Sequence, residues 1–427
     1  MTNPQPNPPR TGPKPLPLHL ATAMNGWISS RAGLPLLKND STAWRPEVAD
    51  RAKALQDALA QNAAQQSRAQ KSAHLQNPKA TSEPDPFALA LDREIHDRLA
   101  AFSAGVSAYR QHPYRRNLED PPALWSSGAT RLLDYGPRDG APVLFVPSLI
   151  NRAYILDLSE RRSLLRWMAR ESGLRPLLVD WDAPGPAERR FTMSDYINGP
   201  LTTALDTAVA ITGQPVPVVG YCMGGLLALA LARLNPSKVS GLSLLATPWN
   251  FHAERVAQAE ALARAVEAAS PLLDLYGELP VDIIQSMFSA LDPFLVTRKF
   301  TGFAKVDPDS QAAEDFVALE DWLNDGVPLS GPVARECMGG WYGRNTPHKG
   351  LWHVGKTPIR PQEVDHPALV LVPQRDRIVP PASADALAAA LPNATRESPR
   401  LGHIGMVAAS RAQSDVWEPL ATWLTRL

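Results

Sequence analysis

VPVVGYCMGGLLALALARL, residues 216–234, is an apolar run that stops at Gly220, then a cysteine two residues on, two glycines and an Ala/Leu-rich stretch. A buried strand, a tight turn and a helix follow from that order. Gly220-Tyr221-Cys222-Met223-Gly224 is G-x-C-x-G, the nucleophile elbow with cysteine where serine is usual. A nucleophile on a strained turn needs small flanking residues, which accounts for the glycines. The turn lifts the sulfur above the sheet and puts Cys222 at a helix N-terminus, where the dipole favours thiolate. The backbone N–H of Met223 is then aimed to stabilise an oxyanion. The competing reading is a buried structural cysteine with glycines for close helix–strand packing. The motif's place between strand and helix favours the elbow.

Working outward, short aliphatic runs recur on both sides: VLFVP (143–147), PLLVDW (176–181), VPVVG (216–220), GLSLLA (241–246) and ALVLV (368–372). Runs without polar alternation fit parallel strands covered on both faces. Helical stretches at 159–171, 202–211 and 223–234 lie between several of them, so the pattern predicts an α/β, mostly parallel, doubly wound sheet. With the elbow, the predicted fold class is the α/β-hydrolase fold.

From Trp249 to about Val364 the rhythm breaks. HAERVAQAEALARAVEAA and AAEDFVALEDWL read as helices, and an insertion after a strand's C-terminal end sits above the ligand crevice. Residues 249–364 are therefore expected to form a helical cap.

Upstream, Leu91, Ile95, Leu99, Phe102, Val106 and Tyr109 make one apolar helical stripe, interrupted by Gly105. Residues 1–20 are Pro-rich and polar and predict disordered or extended chain. Residues 46–70, rich in Ala, Gln and Arg, predict a surface helix or a partly disordered one. The expected organisation is an N-terminal extension, 1–85, largely disordered or weakly helical, and a catalytic domain, 86–427.

The fold places nucleophile, acid and histidine in that chain order. After the strand ALVLV comes PQRDRIVPP, with Asp376 on the post-strand loop; RLGHIGMV then puts His403 in a Gly-flanked loop. Of the nine histidines only His252, close after a strand end, has a comparable context. An Asp in a turn is usually a turn-former; all three partners in register carry more weight than any one. A second oxyanion donor is expected from the loop after an early strand, assigned to the backbone of Leu149 and Ile150. Asn151 either takes part there or caps the next helix. Cysteine in place of serine favours acyl-thioester chemistry, since attacking and leaving groups are then both thiols. Cys337, in RECMGGWYG, repeats Cys-Met-Gly-Gly but lacks a preceding aliphatic strand.

Composition sets bounds. Lys+Arg and Asp+Glu both count 43, so nothing points to a nucleic-acid partner, and any anion site must be local. No secretory signal is read at the N-terminus, and no run approaches ~18 apolar residues, so no transmembrane segment is expected. Cytoplasm is the default location, where the two cysteines stay reduced. No metal cluster is read from the sequence, and no cofactor is expected beyond the CoA that a substrate carries.

GYCMGGLLALAL, FVPSLINRAYILDL, LLVDWDAPG, LLATPWNF, QRDRIVPP and GHIGMV together resemble the polyhydroxyalkanoate synthases, from about Tyr109 to Val407. The resemblance implies an acyltransferase in which Cys222 is acylated by (R)-3-hydroxyacyl-CoA and the acyl units are joined into polyester. It implies His403 as base and Asp376 as the residue that orients His403, or that helps activate the 3-hydroxyl. It also implies a homodimer, a cap that rearranges, and association with polyester granules in the cytoplasm. The chain departs from the family at Asp376-Arg377-Ile378, where Asp-His-Ile is typical, and at Pro147-Ser148, where two prolines are common. It also lacks the Gly-Ser-Trp-Trp block after GHIGMV. The alternative reading is a cysteine-nucleophile hydrolase, either a thioesterase or an intracellular depolymerase.

Overall fold

The structure is a computed structural model that describes residues 9–33, 44–76, 85–254 and 256–427. Within it the chain forms two compact units, one from Met1–His112 with Asp292–Ala313, the other from Pro113–Leu291 with Glu314–Leu427.

The second unit holds an eight-stranded sheet. In chain order its strands are β1 (Ala123–Ser127), β2 (Thr130–Asp134), β3 (Ala141–Val146), β4 (Leu174–Trp181), β5 (Val216–Tyr221), β6 (Val239–Leu245), β7 (Ala368–Leu371) and β8 (Ala394–Glu397). They lie in the order β1-β2-β4-β3-β5-β6-β7-β8. The β1–β2 and β2–β4 pairs are antiparallel and the rest parallel. The five aliphatic runs are β3 to β7. Their side chains are buried towards both faces, Leu144 and Val218 in one core and Phe145 and Val219 in the other. That two-sided burial is why these strands show no polar alternation.

Strands β1, β2 and β8 have no such signature. β1 is mostly exposed, and β8 reads Ala-Thr-Arg-Glu at the sheet edge with no fully buried residue. Residues 157–163 also differ from the expected helix over 159–171. Asp157–Ser159 and Arg162–Ser163 pair as a small hairpin, and the helix is Leu164–Glu171. Ser163 stops it from starting earlier: its hydroxyl accepts from Arg166 N–H at the N-cap.

The insertion between β6 and β7 is mainly helical, with two short two-stranded ribbons, Glu278–Leu279 with Leu329–Ser330 and His353–Val354 with Thr357–Pro358. One part of it belongs elsewhere. The helix Leu295–Phe303 joins the first unit, with Leu16–Ala32, Pro46–Gln76 and Pro86–Gln111. Gly105 explains the join: a Cβ there would lie 1.9 Å from the Phe300 carbonyl oxygen, so the two helices cross in backbone contact. Phe102 and Tyr109 pack edge-on to the Phe300 ring at 6.4 and 5.6 Å. Pro86–Gln111, expected to open the catalytic domain, lies by this division in the first unit. Residues 16–20, expected extended, begin a helix. The remaining expectations for 1–8, 34–43 and 77–84 lie outside the described residues. No described helix is long and apolar enough to cross a membrane.

Candidate active site

The elbow is built as its glycines require. Cys222 has φ +56° and ψ −128°, a backbone conformation that L side chains rarely adopt. It caps the helix Met223–Leu234, and its own N–H donates to the Leu245 carbonyl on β6 at 2.8 Å. A Cβ on Gly220 would lie 2.4 Å from Gly225 Cα, and one on Gly225 would lie 1.9 Å from Thr247 Oγ1. A Cβ on Gly224 would lie 2.1 Å from the Val146 carbonyl oxygen. The last contact brings the loop after β3 against the elbow. Trp181 Nε1 holds that loop by donating to the Pro147 carbonyl at 3.1 Å.

Opposite Cys222, Asp376 sits on the loop after β7 with its side chain fully buried. Its Oδ1 accepts from the N–H groups of Ile378 and Val379 at 2.8 and 2.9 Å, and its Oδ2 accepts from His403 Nδ1 at 2.7 Å. A carboxylate with every role filled can neither rotate nor take up solvent, so it fixes the tautomer of His403. The imidazole also hydrogen-bonds to Cys222. Burial by itself would depress the His403 pKa; the negative charges at Cys222 and Asp376 outweigh it and push the ring up to about 10.

The residues expected to supply oxyanion donors differ in their bonding. Ile150 N–H is committed to Ser148 Oγ at 3.0 Å. Leu149 and Met223 flank the close approach of Gly224 to the 146–147 backbone, and both residues are buried. Asn151 has φ +66°, and the N-cap of the short helix Ala153–Leu156 that follows is Arg152, so Asn151 does not cap it.

Two tyrosines beside the site have no signal in the sequence order. Tyr221, the variable residue of G-x-C, donates its hydroxyl to the His403 carbonyl at 3.1 Å and lays its ring 5.3 Å from the imidazole. Burial, with the charges at Cys222 and Asp376, pushes its phenol well up, so it stays a donor. Tyr342 comes from the insertion and lies close enough to Cys222 to feel its charge. Its ring meets Phe251 at 4.9 Å, and Phe251 meets Trp341 at 5.8 Å. His252, the other notable histidine, is a strut here: its Nε2 donates to the Tyr342 carbonyl at 2.7 Å. The aromatic content of Phe251 and of Trp341-Tyr342 was visible in sequence, but nothing in spacing joined residues 90 apart.

The arrangement sets a half-buried cysteine sulfur beside a histidine held by a buried carboxylate, with an aromatic cluster from the insertion nearby. Among the described residues, no group of three or more His, Cys, Asp or Glu side chains is arranged to hold a metal.

The alpha/beta hydrolase fold family model matches residues 142–269. A poly(3-hydroxyalkanoate) polymerase subunit of Synechocystis is 30% identical over 66% of this chain and 77% of that protein. The corresponding subunit of Allochromatium vinosum is 28% identical over 71% of this chain and 87% of its own. That of Haloarcula marismortui is 29% identical over 67% of this chain, and the match spans 61% of its length.

Proposed function

Since the chain belongs to the polyhydroxyalkanoate synthase family, we propose that it is an acyltransferase that takes (R)-3-hydroxyacyl groups from coenzyme A onto Cys222 and joins them into a polyester. The observation that carries this reading is the cysteine triad, with His403 held between Asp376 Oδ2 and Cys222. The Cys222 thiolate attacks the thioester carbonyl, and the oxyanion forms against the N–H groups of Met223 and Leu149. Collapse breaks the bond to the coenzyme A sulfur, which leaves with the proton of His403. Neutral His403 then accepts the proton of the 3-hydroxyl of a second acyl-CoA. The resulting alkoxide attacks the Cys222 thioester, an ester bond forms, and the sulfur is freed to take the lengthened chain from its coenzyme A. Phe251, Trp341 and Tyr342 form an apolar wall suited to the acyl chain.

Mass spectrometry of protein mixed with 3-hydroxybutyryl-CoA tests the reading. Adducts of one acyl unit and then several are expected on the peptide that contains Cys222. A substrate with hydrogen in place of the 3-hydroxyl should give one unit and stop. Single-unit adducts that turn over to free acid would reject polymerisation and leave a thioesterase.

A further inference from the structure

Positive charge is concentrated where the acid and the base leave the sheet. With 43 basic and 43 acidic residues, the chain has no overall bias, so a local excess stands out. Arg375 and Arg377 flank Asp376, and Arg400 lies three positions before His403; all three are exposed. The two loops are tied edge to edge. Gln374 N–H donates to the Pro399 carbonyl and Arg375 N–H to the Leu401 carbonyl, both at 2.9 Å, and Gln374 Nε2 reaches the Ser398 carbonyl at 3.0 Å. Arg375 and Arg400 therefore rise from one seam.

Neither of them forms an ion pair among the described residues. Elsewhere in the same unit some arginines are matched, as in Arg131–Asp180, Arg162–Asp315, Arg175–Asp134 and Arg233–Glu363, while Arg190, Arg344 and Arg426 form no ion pair among the described residues either. Exposed guanidinium groups are usually only solvated. Here their place on the loops that carry Asp376 and His403 distinguishes them.

We propose that Arg375, Arg377 and Arg400 form a basic rim that binds the phosphates of an acyl-CoA while its thioester lies at Cys222. The inference rests on the acyl-thioester reading above. The pantetheine arm between sulfur and diphosphate has about the reach of four extended residues, roughly 14 Å. The rim starts one residue from Asp376, which is separated from the sulfur by a single imidazole. A guanidinium fork matches phosphate oxygens in pairs, which a lysine cannot do.

The test compares 3-hydroxybutyryl-CoA with 3-hydroxybutyryl-pantetheine, which has the same thioester and no phosphate. In the Arg375→Glu/Arg400→Glu protein, KM for the CoA thioester should rise about tenfold or more, the loss expected from one or two charge-assisted hydrogen bonds. KM for the pantetheine thioester should stay within about twofold. A parallel rise for both, or for neither, overturns the site. In unmodified protein, raising NaCl should increase KM for the CoA thioester alone; equal salt dependence for both overturns it without any variant. If the unmodified protein turns over neither thioester, the acyl-thioester reading itself fails, and the rim with it.

Discussion

Cys-Met-Gly-Gly occurs twice, at 222–225 and at 337–340, and the two copies share nothing beyond those letters. The first follows β5 and is bent into the elbow. The second lies inside the wide helical turn Glu336–Gly343. Cys222 is half-buried beside His403, whereas Cys337 is buried in the core, where burial and the nearby Glu336 push its thiol well up. The glycines differ in the same way. Those after Cys222 stand against backbone and a buried threonine; those after Cys337 face only side-chain ends, no nearer than 3.5 Å. The strand before Cys222 forces the chain to turn at the cysteine, and the tetrapeptide alone does not.

The largest contrast should come from removing each sulfur. Cys222→Ala should lower thiol release from an acyl-CoA by on the order of 10⁴-fold, since the covalent step has no other nucleophile. Cys337→Ala should keep most of the rate and lose about 1 kcal/mol of stability to the small cavity. Comparable losses of activity in the two variants would break the distinction.

The glycines give the next contrast. Gly224→Ala puts a methyl 2.1 Å from the Val146 carbonyl oxygen, so the loop bearing Leu149 must move. Losing alignment of one oxyanion donor should cost about 10²-fold or more in acylation. Gly340→Ala meets nothing closer than Thr346 Oγ1 at 3.5 Å. Activity there should be unchanged, with urea unfolding within about 1 kcal/mol, because alanine is the better helix former. An active Gly224→Ala protein would show that the 146–150 loop supplies no oxyanion donor.

The same contrast explains how much could be read in advance. The elbow was legible because its chemistry forces particular residues into particular places. Strands β3 to β7 were legible because burial on two faces leaves nothing polar in them. β8 was not, since an edge strand reading Ala-Thr-Arg-Glu satisfies its backbone without an apolar face. Nor was the departure of Leu295–Phe303 from the insertion, which depends on one glycine at 105 accepting another helix's backbone. Sequence order points to the backbone of Ile150 but does not show the Ser148 hydroxyl that accepts from its N–H. Tyr221 is not legible in the sequence, because the variable position of a motif carries no signal until its partner is seen.

Tyr221 gives the smallest expected effect. Its hydroxyl is one hydrogen bond, to the His403 carbonyl at 3.1 Å, so Tyr221→Phe should cost about 1 kcal/mol, or roughly fivefold in acylation rate. The informative readout is the pH profile. In the unmodified protein the ring of His403 holds its proton up to about pH 10. Acylation, which needs that proton for the departing thiolate, should persist through pH 9 and fall as pH passes 10. The raised value depends on the ring staying against Cys222 and Asp376, while burial opposes it. If the hydroxyl anchors the loop that sets this contact, its loss weakens the attraction and leaves the burial in place. The alkaline fall should then move to lower pH. A tyrosine that merely fills space would lower stability and leave the profile where it was. An unshifted fall in Tyr221→Phe, with the protein folded, would remove Tyr221 from the positioning of His403.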